Sequence, residues 1–216
     1  MSETTTLVTT EHVRYLAART RAEDAFLAEL KQAARQADIP PIWISPEQAS
    51  FMQIVLKLRG ARDVVEVGTL AGYSAIAMAR ALPPGGRVRT IELLDKHADF
   101  AEAWIAKSDV AGRIEVLRGP GATQLAHMQA GSADAAFLDA DKAGYVLYLE
   151  ECLRILRPRG LVMVDNAFAF GQLFDAQPTD REVEAVRAFN EHVAAHDGLH
   201  SIIAPFGDGC WVCVKE

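Results

Sequence analysis

Oxygen-bearing side chains close two apolar runs in the second half of this sequence. Asp139 ends FLD, and Asp165 and Asn166 end LVMVDN. Two carboxylates and an amide oxygen suit Mg²⁺, Mn²⁺ or Ca²⁺ and suit zinc poorly. Lys142 lies one loop beyond Asp139, where a neighbouring divalent cation would help it lose its proton and act as a base. The alternative is that both aspartates cap the segments that follow and Lys142 pairs with Asp141 on the surface.

A glycine-containing turn follows the first apolar run, DVVEVG. It reads GTLAG at 68–72, and a helical segment begins just after it, so a ligand could approach the backbone there. Glu92 ends the next run and is placed to accept hydrogen bonds from ribose hydroxyls, unless it is merely a solvated side chain beside a tight turn. Leu70 stands where a dinucleotide-binding GxGxxG has its middle glycine, which argues against nicotinamide or flavin binding.

Short β-branched runs alternate with helical segments from residue 63 onward, which predicts an α/β fold with a parallel sheet flanked by helices. The last two runs are joined only by GDG, too short for a crossover helix, so they predict an antiparallel hairpin. The first sixty residues predict a helical cap. The predicted strands are 63–68, 87–93, 113–119, 135–140, 161–166, 200–206 and 210–215, and the predicted helical segments are 11–37, 46–59, 73–82, 96–108, 123–128, 145–156 and 182–195.

The length, charge and cysteine content of the chain indicate its domain number, its class of binding partner and its compartment. The chain has 216 residues, 22 basic against 29 acidic side chains and a net charge of −7, which fits a single domain, 1–216. Without a dense basic run a nucleic-acid partner is not expected, and no segment predicts a signal peptide or a membrane span. Three cysteines, Cys152, Cys210 and Cys213, form an odd count that fits the reducing cytoplasm. Cys210 and Cys213 lie in a predicted strand and should face opposite sides of the sheet.

From about Ile44 to the C-terminus these motifs resemble a known family, the cation-dependent, S-adenosylmethionine-dependent O-methyltransferases, which include catechol and caffeoyl-coenzyme A O-methyltransferases. The similarity is carried by SPEQASFMQIVLKL, VVEVGTLAGYSAIAMARAL, RVRTIEL, LRGPGA, FLDADKAGY, LVMVDN and PFGDGCWVCVK. The resemblance implies a Rossmann-like class I methyltransferase fold with a seven-stranded, mostly parallel sheet. In that fold residues 1–60 form the cap and 61–216 the cofactor-binding core.

The resemblance also implies roles for individual residues. For the cofactor, Glu66 and Gly68 would hold the amino-acid end, Ser74 would lie near its carboxylate, Glu92 would accept from the ribose hydroxyls, Gly121 would border the adenine, and Asp139 would touch both cofactor and metal. Asp139, Asp165 and Asn166 match the metal ligands, with Mg²⁺ the first expectation and Mn²⁺ or Ca²⁺ open. Lys142 matches the catalytic lysine. The implied acceptor is a small aromatic molecule with vicinal hydroxyls, and relatives are commonly homodimers.

Several aromatic residues and histidines have open roles. The loop AFAFGQLFDAQ, 167–177, departs from the Leu-Trp-x-Gly found after Asp-Asn in many relatives. Its Phe168, Phe170 and Phe174 could line an acceptor pocket or pack a dimer contact. Trp43 lies in a segment that closes over the ligands in relatives, although packing is the simpler interpretation. His192 and His196 form an HxxxH pair, and without a Cys or carboxylate cluster beside it we expect a solvated face rather than a zinc site.

Other functions compete with methyl transfer. A nucleotide-dependent oxidoreductase is disfavoured by Leu70, and a non-catalytic cofactor-binding module by the intact set of Lys142, Asp139, Asp165 and Asn166. An RNA methyltransferase would need a basic face. The sequence names neither the acceptor nor the hydroxyl that is methylated.

Overall fold

Seven strands form one mixed sheet in the computed structural model, which describes residues 8–216. The strand order is β3-β2-β1-β4-β5-β7-β6. The first five strands are parallel, and β7 runs antiparallel between β5 and β6, which confirms the predicted hairpin. The strands are β1 Asp63–Val67, β2 Arg87–Glu92, β3 Ile114–Arg118, β4 Ala133–Leu138, β5 Leu156–Val164, β6 Leu199–Ala204 and β7 Cys210–Lys215.

Helices connect the parallel strands and extend the chain before β1. They are α1 Thr10–Ala17, α2 Ala25–Gln36, α3 Pro46–Arg59, α4 Tyr73–Ala81, α5 Asp95–Ile105, α6 Gly121–His127, α7 Tyr145–Ile155 and α8 Val183–Ala194. The helical segment predicted at 11–37 is in fact two helices. Asp24 caps α2 by accepting a hydrogen bond from the Leu27 amide, and this cap begins a new helix after an irregular stretch. Residues 1–7 of the predicted cap lie outside the described residues.

The sheet separates two apolar cores. Val64, on one face, packs with α2, α3 and α4, whereas Val65 and Val67, on the other, pack with α6, α7 and α8. Cys210 belongs to the first core and Cys213 to the second, so the prediction that they face opposite sides is confirmed. The cysteines of the chain are buried and free. None of the helices described is long and apolar enough to cross a membrane.

The largest boundary difference from the sequence prediction is in β5. It begins at Leu156, directly after α7, five residues earlier than predicted, and its pairing with β4 shifts register between Ala133 and Ala135. At its other end the strand stops at Val164, so Asp165 and Asn166 leave the sheet. Because the parallel strands end at one edge, the residues that follow β1, β2, β4 and β5 meet there.

Candidate active site

A cavity of about 970 Å³ lies at this edge of the sheet. Almost all of the predicted site residues line it, including the glycine turn, the acid after β2 and the polar residues after β4 and β5. Those that line it are Gly68, Ser74, Glu92, Gly121, Asp139, Lys142, Asp165 and Asn166. Glu66 does not line it. The structure therefore brings eight of the nine predicted residues together.

Gly68 lies directly after β1, against the backbone of Asp139 at the end of β4. Its φ is +101°, a left-handed conformation that favours glycine, and a Cβ there would overlap the backbone carbonyl of Asp139. Its amide donates to the Ile91 carbonyl at 3.0 Å, and the Asp139 amide donates to the Val67 carbonyl at 2.9 Å. A side chain at position 68 would force the two strand ends apart.

Glu92 is 7% exposed, and each of its carboxylate oxygens holds one backbone amide. Oε2 accepts from Leu70 at 2.8 Å and Oε1 from Leu94 at 2.9 Å. A carboxylate has about four lone-pair sites, so capacity remains for two hydroxyl donors. The carboxylate also fixes Leu70 at φ +49°, which gives the turn its shape.

The start of α4 faces the same cavity. Gly72 precedes the helix at φ +83°, and no side chain of the described residues caps the first amides of α4. Uncapped amides at a helix N-terminus attract an anionic group, and the Ser74 hydroxyl lies among them. Across the cavity, a Cβ on Gly121 would lie 2.9 Å from Val67 Cγ1 and 3.0 Å from the Tyr148 ring, so the backbone itself forms the wall.

Glu66 lies beneath the cavity and is 0% exposed. Neither of its carboxylate oxygens has a hydrogen-bond partner among residues 8–216. Burial raises its pKa from 4.5 to about 8, against the opposing effect of the nearby Ser74 and Thr90 hydroxyls, and the charges of Asp139 and Glu92 raise it further. The carboxyl is therefore largely protonated at neutral pH.

Asp139 and Asp165 bring two carboxyl groups close together at the ends of β4 and β5. Burial, followed by the charge of Asp139, raises the pKa of Asp165 to about 6. One oxygen of Asp165, Oδ1, is buried and has no hydrogen-bond partner within the described chain. Gln48 of α3 lies nearby, and its Nε2 is likewise buried without a partner there. This part of the cavity has an excess of oxygen atoms and of negative charge.

Lys142 is 5% exposed and is held from two sides. Its Nζ donates to the Tyr145 hydroxyl oxygen at 2.6 Å and to Asp139 Oδ1 at 3.2 Å. The Tyr145 hydroxyl donates onward to the Leu138 carbonyl at 3.4 Å, and burial raises the pKa of that hydroxyl well above its usual value. Tyr145 therefore stays protonated and directs the lysine. Asp141 instead caps the following turn and accepts from Tyr148, so the predicted alternative of a surface Lys142–Asp141 pair is wrong.

The segment after β5 carries three non-glycine residues in left-handed conformations. Asn166, Ala169 and Phe170 have φ of +66°, +52° and +59°, a conformation that costs Ala169 and Phe170 of order 1–2 kcal/mol each and that asparagine tolerates better. Contacts elsewhere must therefore hold this segment in place. Phe170 lines the cavity, and its ring centre lies 5.9 Å from Lys142 Nζ. Phe174 is 94% exposed, and Phe168 packs against Gly209.

Tyr145, Gln48 and Asp208 are the polar residues of this region that sequence reasoning missed. Tyr145 stands three residues after Lys142, and that spacing at the start of a helix is a usable signal. Gln48 follows the helix-capping Ser45 and is hidden in an amphipathic helix. Asp208 stands out in the sequence only as part of a turn, since nothing local shows that the turn contacts Asn166.

Two other predicted features lie at the margin or outside the cavity. Trp43 lines it, and the Arg35 guanidinium lies 5.0 Å from the Trp43 ring centre. His192 Nε2 of α8 donates to Glu150 Oε1 of α7 at 2.8 Å, and neither residue lines the cavity.

A second cavity of about 680 Å³ lies between α2, α3 and α4. Its ionic groups are largely satisfied by each other: Arg80 pairs with Asp24 at 2.6 Å and with Asp109 at 2.8 Å. The strand-end cavity, with its unpartnered oxygens, is the better candidate for chemistry.

A parallel sheet with a reversed seventh strand, a glycine turn, an acid after β2 and a buried lysine define a class I methyltransferase-like α/β protein. The profile of the O-methyltransferase family matches residues 17–216. The chain belongs to the O-methyltransferase family.

Individual relatives agree with this assignment. The chain is 37% identical over 184 residues to a catechol O-methyltransferase of Niastella koreensis, covering 84% of this chain and 83% of that one. An O-methyltransferase from Bacillus cereus in complex with S-adenosylhomocysteine superposes with a TM-score of 0.85 at 32% identity, covering 94% and 96% of the two chains. An O-methyltransferase from Streptomyces achromogenes in complex with S-adenosylmethionine gives a TM-score of 0.82 at 32% identity, with 94% of each chain covered. The protein is an S-adenosylmethionine-dependent O-methyltransferase, as expected, and the oxidoreductase alternative is set aside.

Proposed function

We propose that this enzyme requires a divalent cation and methylates a hydroxyl of a small aromatic acceptor with vicinal hydroxyls. The observation that carries the proposal is the set formed by Asp139, Asp165 and Asn166 beside buried Lys142, in one cavity with an excess of oxygen atoms. The catechol O-methyltransferase relative supports the same acceptor class. The single methyltransferase domain, 1–216, is part of this proposal, supported by the core that α2 and α3 share with the sheet.

The residues at the ends of β4 and β5 fit a hard cation. Asp165 has a buried, unpartnered oxygen, and its pKa is raised first by burial and then by the neighbouring charge of Asp139. Asn166 uses its amide nitrogen on Asp208, so its oxygen is the atom left for a ligand. Within residues 8–216 no group of three or more His, Cys, Asp or Glu is arranged for a metal, so the candidate set is two carboxylates and one amide. Such a set suits Mg²⁺, which usually keeps several waters, and also Mn²⁺ or Ca²⁺.

The side chains of the cavity have separable tasks in the reaction. A bound divalent cation would favour the anionic form of an acceptor hydroxyl. Lys142, held by Tyr145 and Asp139, is positioned to take the proton of that hydroxyl. S-adenosylmethionine, when bound, would supply the methyl group to that oxygen and would leave as S-adenosylhomocysteine. Gly68, Ser74, Glu92 and Gly121 orient the cofactor, and orientation of this kind can supply several of the ~7–11 kcal/mol available to positioning.

Phe170 is the aromatic residue that we assign to the acceptor wall. It lines the cavity above Lys142, where a planar ring could pack against it. Phe174 projects away from the cavity and suits a contact with another molecule.

We also infer that the enzyme is a cytoplasmic homodimer with a small-molecule substrate. Three buried, free cysteines support a reducing compartment. Val13, Tyr15 and Leu16 of α1 are about half exposed, and an apolar face of this kind suits a second copy of the chain.

Metal removal tests the proposal. We expect enzyme dialysed against EDTA to lose methyl transfer to catechol, and Mg²⁺ or Mn²⁺ to restore it, with transfer measured by radiolabelled S-adenosylmethionine. Catechol should be methylated far better than resorcinol, whose hydroxyls are not adjacent. The matched variant Asp165→Asn should need much more metal than wild type. A metal-free preparation that remains fully active would show that the oxygen cluster is structural.

A further inference from the structure

Asp208 lies in the turn between β6 and β7, directly against the segment that follows β5. The glycines on either side of it have φ of +58° and +76°. The turn is fixed through the backbone, because the Phe168 amide donates to the Asp208 carbonyl at 2.8 Å and the Ala167 amide donates to the Gly209 carbonyl at 2.9 Å. The carboxylate of Asp208 is thus aimed at residues 166–171.

The Asp208 carboxylate collects three donors from that segment. Oδ2 accepts from Asn166 Nδ2 at 3.0 Å and from the Phe170 amide at 2.8 Å, and Oδ1 accepts from the Gly171 amide at 3.2 Å. Two of these bonds hold the backbone where Ala169 and Phe170 adopt left-handed conformations. The third reaches a candidate metal ligand.

The contact with Asn166 decides which end of that amide faces the cavity. A carboxylate only accepts hydrogen bonds, so it selects the amide nitrogen and leaves the oxygen free. Asn166 lines the cavity beside Asp165. Oxygen, rather than nitrogen, is the amide atom that can bind a hard cation.

We propose that Asp208 is a positioning residue that orients Asn166 for a divalent cation and holds Phe170 over Lys142. The inference rests on the cation requirement proposed above. The half-buried Asp208 carboxylate would connect the last hairpin of the fold to two parts of the cavity, the proposed metal site and the proposed acceptor wall.

The substitution Asp208→Asn tests this at nearly constant shape. Asparagine keeps one acceptor oxygen and no charge for the three donors that the carboxylate holds, so at least one donor loses its acceptor and the Asn166 amide is held more weakly. We expect the affinity for Mn²⁺, measured from the electron paramagnetic resonance signal of the free ion, to fall about 10- to 100-fold. Affinity for S-adenosylmethionine, measured by calorimetry, should stay within about twofold. Asp197→Asn, the same change at an exposed position before β6, should alter neither.

A double variant shows whether Asp208 affects Mn²⁺ binding through Asn166 or through a general disturbance of the structure. Asn166→Ala alone should weaken Mn²⁺ binding, and adding Asp208→Asn should weaken it little further, because the group that Asp208 orients is already gone. Losses that multiply would overturn the proposal, as would an Asp208→Asn protein that binds Mn²⁺ like wild type. Wild type that binds no Mn²⁺ would instead overturn the proposed cation requirement and this inference with it.

A measurement on the unsubstituted chain covers the case in which the variant fails to fold. The side-chain amide protons of Asn166, followed by nuclear magnetic resonance in metal-free protein, should exchange with solvent at least about tenfold more slowly than those of an exposed asparagine side chain. Fast exchange would show that Asp208 does not hold the amide, and would overturn the proposal without touching the cation requirement.

Discussion

The two halves of the cavity are built in different ways. Around β1 and β2 the wall is largely backbone: glycines at 68 and 121, uncapped amides of α4, and the loops after β1 and β2 that Glu92 holds together. Around β4 and β5 the wall is side chains that carry charge, and the segment after β5 is strained. The first half, which we assign to the cofactor, is fixed mainly by backbone geometry, whereas the second, which we assign to the acceptor, depends on side-chain contacts from distant parts of the chain.

The difference matters because the two halves face different demands. The cofactor is the same molecule in every reaction cycle, so a rigid backbone surface can bind it with little movement of atoms. The reacting side must hold groups that repel each other, such as Asp139 and Asp165, until a ligand compensates them. Substitutions in the first half should therefore change cofactor affinity, and substitutions in the second should change turnover.

Lys142→Ala should give the largest difference between the effect of a substitution on turnover and its effect on cofactor affinity. Loss of the proposed base should lower kcat about 10²- to 10⁴-fold, while the affinity for S-adenosylmethionine stays nearly unchanged, since the lysine belongs to the acceptor half. Turnover with catechol and calorimetry with the cofactor measure the two effects.

Lys142→Arg and Lys57→Ala are the matched variants. Arginine keeps the positive charge but does not give up its proton, so it should be as slow as alanine if the base is what matters. Lys57 lies outside the strand-end cavity, and its loss should leave turnover unchanged. An unchanged kcat in Lys142→Ala would remove the lysine from the mechanism.

Gly68→Ala is the converse test in the cofactor half. Its methyl group would overlap the Asp139 carbonyl and separate β1 from β4, so affinity for the cofactor should fall at least about tenfold, close to 1.4 kcal/mol, by calorimetry. Gly131 is a matched control, because it has φ +66° and no atom lies within 4 Å of the place that a methyl group would take. Gly131→Ala should cost stability of about 1 kcal/mol and no cofactor affinity. Equal losses in both variants would show that backbone strain, rather than the steric overlap, is responsible.

The same contrast explains what the sequence could predict. The alternation of strands and helices, the hairpin and the turn at 68–72 follow from local patterns, and the residues that close each strand follow from the rule that these ends meet. The contact of Asp208 with Asn166, 42 positions apart, has no local signature. Neither does the proximity of Gln48 to Asp165, which depends on how α3 packs against the sheet. The break at 18–24 escapes prediction because no glycine or proline marks it.

Glu66, the buried acid beneath the half of the cavity that we assign to the cofactor, is tested through stability rather than through turnover. Glu66 has a pKa of about 8 in the folded protein and an ordinary value of 4.5 when unfolded. Between these values the folded state keeps a proton that the unfolded state has lost, so its contribution to stability falls as pH rises. Glu66→Gln cannot ionise and should escape that loss. Relative to wild type, the cofactor-free variant should gain about 3 kcal/mol of stability between pH 5 and pH 8, or about 6–12 °C in Tm for a chain of this size. Glu115→Gln, at an exposed position of β3, should show no such pH dependence. If Glu66 instead carries a charge that holds the cofactor's amino group, as the family resemblance implies, Glu66→Gln will weaken S-adenosylmethionine binding at pH 7, and the cofactor half will prove to depend on side-chain charge as the acceptor half does.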